Sequence, residues 1–265
     1  MPRYIAFIAL LLAVIPGSAQ EAPKKRLLAW ADVTTGYQHD SISHALAVIE
    51  RLGRESGEYE TYIRTDSQWI TKQPFSLPAR HTHDLKDFDA IFFFGVGDTL
   101  NPQQKADLMS FIHDDGRGFI GAHTGDDAFF EWPEFGKMIG GYFDDHPWNT
   151  FEAPVVVEDS SLPFMKMFPP QFTIHDEIYQ HKDFSRDRVH VLARLDASKL
   201  DLANPKVHRT DRDFPVAWVK MYGTGRVFYS SFGHTVEAWD NPRVQQMYVE
   251  AIRWATRLAG DDVKP

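Results

Sequence analysis

The sequence contains no cysteine among its 265 residues. This absence excludes disulfide bonds, thiolate nucleophiles and cysteine metal ligands together. Basic residues are also few, with 28 lysines and arginines against 37 aspartates and glutamates and a formal charge of -9. We do not expect a nucleic-acid partner, because this mean charge repels phosphates and no basic patch in the sequence reverses it.

Repeats, low-complexity tracts and an evident linker are missing as well. Hydrophobic residues make up 43% of the chain, which is enough for a substantial core at this length. These features predict a single folded domain over residues 20–265. They leave the oligomeric state open, a homo-oligomer included.

The first nineteen residues have the pattern of a secretory signal peptide. Arg3 precedes an apolar run from Ile5 to Ile15, and small residues occupy the -3 and -1 positions of a cleavage site after Ala19. The run is shorter than the about 20 apolar residues that span a bilayer. We therefore predict a leader over residues 1–19, export to the periplasm or the extracellular space, and no stable membrane insertion after the leader is removed. The alternative is that the segment is retained as an anchor.

Strand and helix patterns alternate in the first half of the remaining chain. The first predicted helix has apolar residues at a 3.6-residue period from Ile42 to Leu52, and the second opens at Asn101-Pro102 with a capping residue and a proline. The predicted strands are Arg26–Thr34, Tyr59–Thr65, Ala90–Gly95 and Gly118–Ala122. This order predicts an α/β fold with an open, mostly parallel sheet and helices on both faces.

The second half is less regular. A hairpin is expected about Gly223-Thr224-Gly225, and a last amphipathic helix ends before Gly260. Further strands are predicted at Ala153–Glu158, Phe172–Gln180 and Val189–Leu195, with the hairpin strands at Val216–Tyr222 and Arg226–Phe232. The hairpin adds an antiparallel element to the parallel sheet.

Histidines follow several of the predicted strands. His39, His123, His181 and His234 each come just after one. Open parallel sheets bind ligands outside the carboxyl ends of their strands, so these positions are candidates for a functional site. The alternative is that some of them only satisfy hydrogen bonds at strand ends.

The clearest local motif is Gly121-Ala122-His123-Thr124-Gly125, which follows an apolar strand. Small residues on both sides of one reactive position permit a sharp turn that exposes the central side chain, as in a nucleophile elbow. Here that side chain is an imidazole, which is a general base or a metal ligand near neutral pH. The alternative is a histidine that only caps the strand end.

Two other segments carry candidate binding residues. The first joins the glycine pair ending at Gly141 to Asp144, Asp145 and His146, where paired glycines permit close approach of a ligand. The two aspartates are expected to be ordinary solvated acids. In the second, His234 and Glu237 lie three residues apart after the hairpin and can share one small site.

A strand containing His175, Asp176, Glu177 and Tyr179 is the last candidate. Alternation places His175, Glu177 and Tyr179 on one face and Asp176 on the other. Glu177 and Tyr179 are therefore expected to point together into a cleft.

Taken together, these motifs resemble the trehalose-utilisation (ThuA-like) family. The segments that carry the resemblance run from about Leu27 to Leu258 and read GYQHDSI, GFIGAHTGDD, WPEFGKMIGGYFDDHP, FTIHDEIYQ, FPVAWVKMYGTGRVFYSSFGHTVEAW and IRWA. The resemblance implies a flavodoxin-like fold of the class I glutamine amidotransferase type. Amidotransferases have a G-x-C-x-G elbow, and this chain has His123 in place of the cysteine, so we do not expect glutaminase activity.

The resemblance further implies a small carbohydrate as the partner, either trehalose or a related glycoside or 3-keto-sugar. A 3-keto-sugar needs a base that removes the proton beside its carbonyl and an electrophile that holds the enediolate. We expect this isomerase or lyase chemistry from four catalytic residues, His39, His123, His234 and Glu177. His39, His123, His146 and His234 can act either directly or around a divalent metal, although no sequence spacing specifies a metal.

Substrate contacts are expected from His146, Gly141, Tyr179, Trp148 and Glu237. Other aromatic residues near these motifs are candidates for stacking on sugars: Trp132, Tyr142, Phe143 and Trp239. Two alternatives stay open at this point, a non-catalytic carbohydrate-binding protein and a glycoside hydrolase. The hydrolase requires two carboxylates about 5–10 Å apart, with Glu177, Asp144 and Glu237 as candidates.

Overall fold

The computed structural model describes residues 23–33, 36–74 and 82–264. The predicted leader at residues 1–19 lies outside the described residues, so export stays a prediction. Among the helices that are described, none combines the length and the apolar character needed to cross a membrane.

Eleven strands form the described sheets. They are β1 Lys25–Trp30, β2 Tyr59–Arg64, β3 Ala90–Phe93, β4 Gly118–Ala122, β5 Tyr142–Asp145, β6 Thr150–Val157, β7 Gln171–Glu177, β8 Gln180–Lys182, β9 His190–Leu195, β10 Pro215–Tyr222 and β11 Gly225–Ser230. Nine of them form one mixed sheet in the order β2-β1-β3-β4-β11-β10-β9-β6-β7. The other two, β5 and β8, form a small antiparallel pair.

The main sheet has a parallel half and an antiparallel half. Strands β2, β1, β3, β4 and β11 pair in parallel. Strand β10 turns back on β11 through the predicted hairpin, and β9, β6 and β7 extend the sheet beyond it with antiparallel pairing. The predicted fold, an open mostly parallel sheet with an added hairpin, is confirmed.

Within the described residues, five α-helices pack on the sheet: α1 Ser41–Ser56, α2 Pro102–His113, α3 Pro133–Ile139, α4 Val236–Asp240 and α5 Pro242–Ala255. Apolar residues of α1, α4 and α5 pack in one core with alternate residues of the strands, such as Leu27 and Ala29. Residues of α2 and α3 pack in a second core against the opposite residues, such as Leu28 and Trp30. Since both faces are covered, the parallel strands are apolar on both sides.

Local signals explain where the helices begin and end. Helix α2 begins after Asn101, whose side chain accepts from the Gln104 amide while Gln104 reaches back to the Asn101 amide. Helix α1 ends at Gly57, which has a φ of 72° and caps the helix through its backbone amide. Both ends were predicted from the sequence to within a few residues.

The structure divides one predicted strand into two. The segment predicted as Phe172–Gln180 forms β7, which ends at Glu177, and then β8, which begins at Gln180 in the small sheet. Ile178 and Tyr179 form the link between the two sheets and are buried. This change of sheet brings β5 and β8 over the carboxyl ends of the parallel strands, where the candidate residues lie.

Candidate functional site

A pocket of about 530 Å³ opens at the carboxyl ends of the parallel strands. Loops after β1, β4 and β11 meet there with the end of β7 and the turn after β5. Its lining consists of aromatic, imidazole and carboxyl side chains: Tyr37, His39, Asp127, Phe143, His146, Glu177, Tyr179 and His234. The volume is in the range of small-molecule sites.

His123 occupies a sharp turn directly after β4. Its φ of 46° lies in the left-handed region, which non-glycine residues rarely adopt. The side chain is completely buried. The expectation that this turn exposes the imidazole is therefore wrong, because Tyr179 and the loop carrying His234 pack over the ring. His123 therefore does not line the pocket and lies directly behind two residues that do, Tyr179 and His234.

The hydrogen bonds of His123 define its tautomer. Its Nδ1 lies 2.8 Å from the Ser231 carbonyl oxygen, which can only accept, so Nδ1 carries the proton. Burial and the nearby His39 lower the pKa of His123 well below its usual value, so the ring is neutral near pH 7. Its Nε2 therefore has a free lone pair, and the Tyr179 hydroxyl donates to it over 2.7 Å.

Glu177 and His234 form a pair that faces the pocket. Nδ1 of His234 lies 3.2 Å from Oε1 of Glu177 and 3.3 Å from Nε2 of His123. The hydrogen bond that His234 donates to Glu177 raises the pKa of His234 above its usual value, and this outweighs the partial burial of the ring. His234 therefore keeps its proton to a higher pH than a free imidazole.

His39 and His146 lie on either side of this pair. The His39 ring is perpendicular to those of His123 and His234, with centroids 4.8 Å and 4.9 Å away. Burial, followed by the charge of His234, lowers the pKa of His39 to about 4. His146 lies near the other oxygen of Glu177, with 3.6 Å between its Nδ1 and Oε2.

Asp127 is a pocket residue that sequence reasoning missed. It follows the short 3-10 turn of residues 123–126 and lines the pocket beside Tyr179. Burial and the charge of Asp126 raise its pKa to about 7. The signal for it was present, since Asp127 is the last residue of the GFIGAHTGDD segment. A carboxyl group that titrates near neutral pH in a pocket is suited to proton transfer.

A buried contact between a carboxyl group and an imidazole lies next to the turn at His123. Asp126 and His181 are fully buried, with 3.1 Å between Oδ2 and Nε2. The Tyr229 hydroxyl lies 2.8 Å from both the other Asp126 oxygen and the backbone carbonyl of His123. His181, which we singled out at a strand end, therefore has a structural position below the pocket.

Asp176 positions the loop that carries His234. Its buried carboxylate accepts from the backbone amides of Gly233, at 2.7 Å, and Thr235, at 3.0 Å. Burial raises its pKa to about 7. The predicted alternation holds in part: Glu177 and Tyr179 enter the pocket while Asp176 points elsewhere, but His175 is exposed and bonded to Glu152.

Three predicted substrate-binding residues lie apart from the pocket. Glu237 is exposed on α4 and borders a different surface depression. Trp148 is partly buried and packs on Phe214 at the edge of the core, and Gly141 lies against Phe184 and the backbone of β8. Sequence proximity to a motif did not indicate side-chain direction in these cases.

The flanking aromatic and acidic candidates also divide. Phe143 lines the pocket and contacts Tyr179 at a ring-centroid distance of 4.6 Å. Trp239 is completely buried in the core, where it stacks on Tyr248. Asp144 is paired with His208 at 2.8 Å and does not line the pocket, which fits its interpretation as an ordinary acid.

Three pocket-lining side chains and the buried His123 have the arrangement of metal ligands. His39, His123, Glu177 and His234 each offer a ligand atom, and these atoms all lie within 4.8 Å of one another. His146 was predicted as a ligand but is not part of this group, since it approaches the outer oxygen of Glu177. Three imidazoles and one carboxylate are typical ligands of divalent transition metals.

Comparison with known proteins places these features in a family. The model of the trehalose utilisation family, ThuA, matches residues 26–255. The comparison with curated proteins found no match. The chain is similar in structure to a protein described as ThuA-like from Bacteroides uniformis, with a TM-score of 0.72 and 23% identity, over 91% of this chain and 95% of the other. It is also similar to a protein described as ThuA-like from Parabacteroides merdae, with a TM-score of 0.68 and 17% identity, over 92% of this chain and 94% of the other.

A more distant similarity concerns the fold alone. A protein from Thermoplasma acidophilum described as a GMP synthase component aligns with a TM-score of 0.50 and 12% identity, over 88% of this chain and 95% of the other. The expected relation to the class I glutamine amidotransferase fold is therefore confirmed. The thiol of the G-x-C-x-G elbow has no counterpart here, because His123 occupies its place and the chain has no cysteine.

Proposed function

Since the chain belongs to the trehalose utilisation (ThuA) family, we propose that it is an enzyme of carbohydrate utilisation. Its substrate is a sugar or glycoside, in particular a 3-keto-sugar, and its reaction is proton transfer that leads to isomerisation or elimination. The observation that carries the proposal is the pocket at the strand ends, where Asp127 and His234 have displaced pKa values. We further propose that the protein acts outside the cytoplasm after removal of residues 1–19.

The chemistry of a keto-sugar requires two different groups. The carbon beside the carbonyl must lose a proton to a base, and the enediolate that forms must be held by a cation or a hydrogen-bond donor. When the environment separates the pKa values of two titratable groups, one group can act as the base and the other as the proton donor. The pocket contains groups suited to each.

Asp127 is the proton-transfer group in this proposal. With a pKa of about 7 it is ionised in a large fraction of molecules at neutral pH, so it can take a proton and then return it. His234 is the donor, because Glu177 favours its protonated form and a positive imidazolium stabilises a developing enediolate. Tyr179 and His123 act as positioning residues that hold His234.

A second candidate is glycoside hydrolysis. It is favoured by one observation, that two carboxyl groups, Asp127 and Glu177, line the same pocket. The raised pKa of Asp127 suits a general acid that protonates the leaving group. Of the three carboxylates expected from the sequence for this reaction, Glu177 alone lines the pocket.

Incubation with 3-keto-glucosides in D2O, followed by NMR, tests the proposal. We expect deuterium to enter the carbon beside the carbonyl, followed by an isomerised or eliminated product. Asp127→Asn should slow this exchange by about 100-fold or more, since general acid–base catalysis typically contributes that much. Glu131→Gln, which changes an exposed acid in the loop after Asp127, should leave it unchanged.

The alternatives give different results in the same samples. Release of free sugar from an unoxidised glycoside, without deuterium exchange, would favour hydrolysis. Sugar-induced thermal stabilisation without any reaction would favour a carbohydrate-binding protein. Unchanged keto-sugar with no deuterium uptake, with and without added divalent metals, would overturn the proposal of proton transfer.

A further inference from the structure

The four-residue group of His39, His123, Glu177 and His234 goes beyond what acid–base chemistry requires. We infer that these side chains bind one divalent first-row transition-metal ion at the floor of the pocket. The inference deepens the proposed function and rests on it for the role of the ion, since the ion would serve the same pocket. Binding itself needs no substrate and is measured separately.

The distances among three of the ligand atoms fit a metal. They are 3.2 Å between His234 Nδ1 and Glu177 Oε1, 3.3 Å between His234 Nδ1 and His123 Nε2, and 3.8 Å between His123 Nε2 and Glu177 Oε1. Tetrahedral coordination with bonds of about 2.0–2.1 Å places neighbouring ligand atoms about 3.3 Å apart. The triangle therefore needs little rearrangement to accept an ion.

Buried contacts already orient these ligands. The Ser231 carbonyl accepts from Nδ1 of His123, which leaves Nε2 as the atom directed at His234 and Glu177. Metal-bound histidines usually donate their other ring nitrogen to a carbonyl or carboxylate in this way. The Asp176 carboxylate accepts from the backbone amides of both neighbours of His234. These hydrogen bonds fix the loop that positions the His234 imidazole.

His39 supplies the fourth ligand. Its side chain is 9% exposed, and a ring nitrogen lies within 4.8 Å of the other three ligand atoms. Within the part of the chain that the structure describes, its buried Nδ1 has no hydrogen-bond partner. Buried imidazole nitrogens usually have a partner, and a bound metal with its water would satisfy this group.

The donor set selects the type of ion. Three imidazole nitrogens and one carboxylate oxygen favour Zn²⁺, Fe²⁺ or Co²⁺ over Ca²⁺ and Mg²⁺, which prefer oxygen ligands. When bound, such an ion would replace the proton on His234 Nδ1 and would supply, in place of the imidazolium, the Lewis acid that polarises a sugar carbonyl or its enediolate oxygen. The loop residues around it then keep the site in a buried, low-dielectric environment.

Tyr179 provides a specific signature of this site. Its hydroxyl donates to His123 Nε2 over 2.7 Å and so uses the lone pair that a metal would need. Removing the hydroxyl frees this lone pair. Tyr179→Phe should therefore bind metal more tightly than the unchanged protein, whereas a site that does not involve His123 would keep the same affinity.

The experiment uses the tag-free full chain, stripped with a chelator and then titrated with Zn²⁺ and, separately, with Co²⁺. Calorimetry and elemental analysis after desalting should give one ion per chain, and Co²⁺ should give the visible absorption of a low-coordinate nitrogen and oxygen site. His234→Gln and Glu177→Gln should each weaken Zn²⁺ binding by about 100-fold or more, since each removes one of four ligands. Mg²⁺ at the same concentration should not compete.

His175→Gln is the matched control, because His175 is an exposed histidine bonded to Glu152 and lies outside the group. It should bind Zn²⁺ as the unchanged protein does. Far-ultraviolet circular dichroism checks that the two ligand variants are folded, and His39→Gln replaces either variant that is not. No bound ion in the unchanged protein, or equal weakening in His175→Gln and the ligand variants, would overturn the inference.

Two further results separate this inference from the proposed function. One ion bound through these ligands, without any reaction of keto-sugars, would support the metal site and contradict the proposed reaction. Full deuterium exchange in the metal-free protein, with no binding of Zn²⁺ or Co²⁺, would support the reaction and contradict the metal site.

Discussion

The hydroxyl of Tyr179 donates a hydrogen bond of 2.7 Å to Nε2 of His123, and Nδ1 of the same ring is bonded to the Ser231 carbonyl. The imidazole at the elbow is therefore fully paired and fully buried. The imidazole of the most conspicuous sequence motif is therefore hydrogen-bonded to a tyrosine that lines the pocket.

Tyr179→Phe should reduce turnover without unfolding the protein. Loss of the hydroxyl leaves Nε2 of His123 without its donor and costs about 1 kcal/mol of unfolding free energy. Because Tyr179 positions His123 and His234, we expect kcat to fall about 10-fold or more while KM changes little. Steady-state kinetics and urea unfolding check both values.

Tyr222→Phe is the control for this change. Tyr222 also donates to a side chain, the Glu134 carboxylate at 3.1 Å, but far from the pocket. Its loss should leave kcat unchanged. Equal kinetic effects of the two variants would contradict the positioning role of Tyr179.

Asp127→Asn should change how stability depends on pH. The native pKa of about 7 lies above the usual value of 3.8, so the native state binds more protons than the unfolded state between about pH 4 and pH 7. This carboxyl therefore destabilises the native state increasingly as pH rises through that window. The variant should gain about 1–2 kcal/mol of relative stability at pH 8 compared with pH 5.

Urea unfolding of the chelator-treated protein at the two pH values measures this difference. Subtracting the unchanged protein removes the opposite slope from His39, whose lowered pKa of about 4 makes stability rise with pH between about 4 and 6.5. Glu131→Gln should show no pH-dependent gain, because that side chain is exposed. A pH-independent effect of Asp127→Asn would contradict the raised pKa.

Asp176→Ala should destabilise the protein and displace His234. The change leaves the buried amides of Gly233 and Thr235 without their acceptor, at a cost of about 2–4 kcal/mol. Asp176→Asn keeps one acceptor oxygen and should recover part of the stability and of kcat. Asp144→Ala, which removes a partly exposed pair with His208, should cost less than about 1 kcal/mol.

Thermal unfolding and kinetics of these three variants form the measurement. If Asp176 braces the loop, stability and kcat should rank in the same order among the variants. A fully active Asp176→Ala protein would contradict this role, because the loop would then position His234 without the Asp176 carboxylate.

The aromatic residues predict a division between substrate binding and packing. Phe143 lines the pocket, so Phe143→Ala should raise KM for a sugar substrate by about 10-fold while the protein stays folded. Trp148 is partly buried and packs against Phe214 at the edge of the core, so Trp148→Ala should lower stability by about 2 kcal/mol with little effect on KM. Kinetics and calorimetric unfolding distinguish the two, and the reverse pattern would contradict the placement of the pocket.

Processing of the amino terminus is a separate prediction from the sequence. The full chain, expressed with its own leader in a bacterial host, should yield a protein that begins at Gln20 and is found outside the cytoplasm. Ala19→Arg should block the cleavage, since the -1 position requires a small residue. Mass spectrometry of the purified chains checks both, and an intact amino terminus in the unchanged protein would contradict the prediction.

Much of the fold was accessible from local patterns. The strand and helix periods between Arg26 and Ala122 predicted the four parallel strands β1 to β4, and the hairpin about Gly223-Thr224-Gly225 is present. Strands that correspond to β6, β7 and β9 were also predicted, but their antiparallel pairing was not, nor was the pairing of β5 with β8. Alternation within a strand indicates which residues share a face and does not indicate which other strand lies beside it.

The sequence predicted some residues of the candidate site correctly and misplaced or missed others. His39, His123 and His234 meet because parallel strands present their carboxyl ends at one edge of a sheet. Glu237 and Trp148 were expected beside them on sequence proximity alone, and the structure turns both away. Asp127 belonged to a recognised motif, yet its importance depends on burial, which the motif does not report.

By itself, the sequence determined that the protein has no thiol nucleophile, an α/β sheet of known type and an imidazole at the elbow. Only the tertiary structure decided that this imidazole is buried under Tyr179, that Glu177 pairs with His234, and that Asp127 titrates near neutral pH. The reason is physical: residue type and strand order are local properties of the chain. Distances between side chains from separate strands, and the loss of solvent that shifts their pKa values, exist only once the strands are packed.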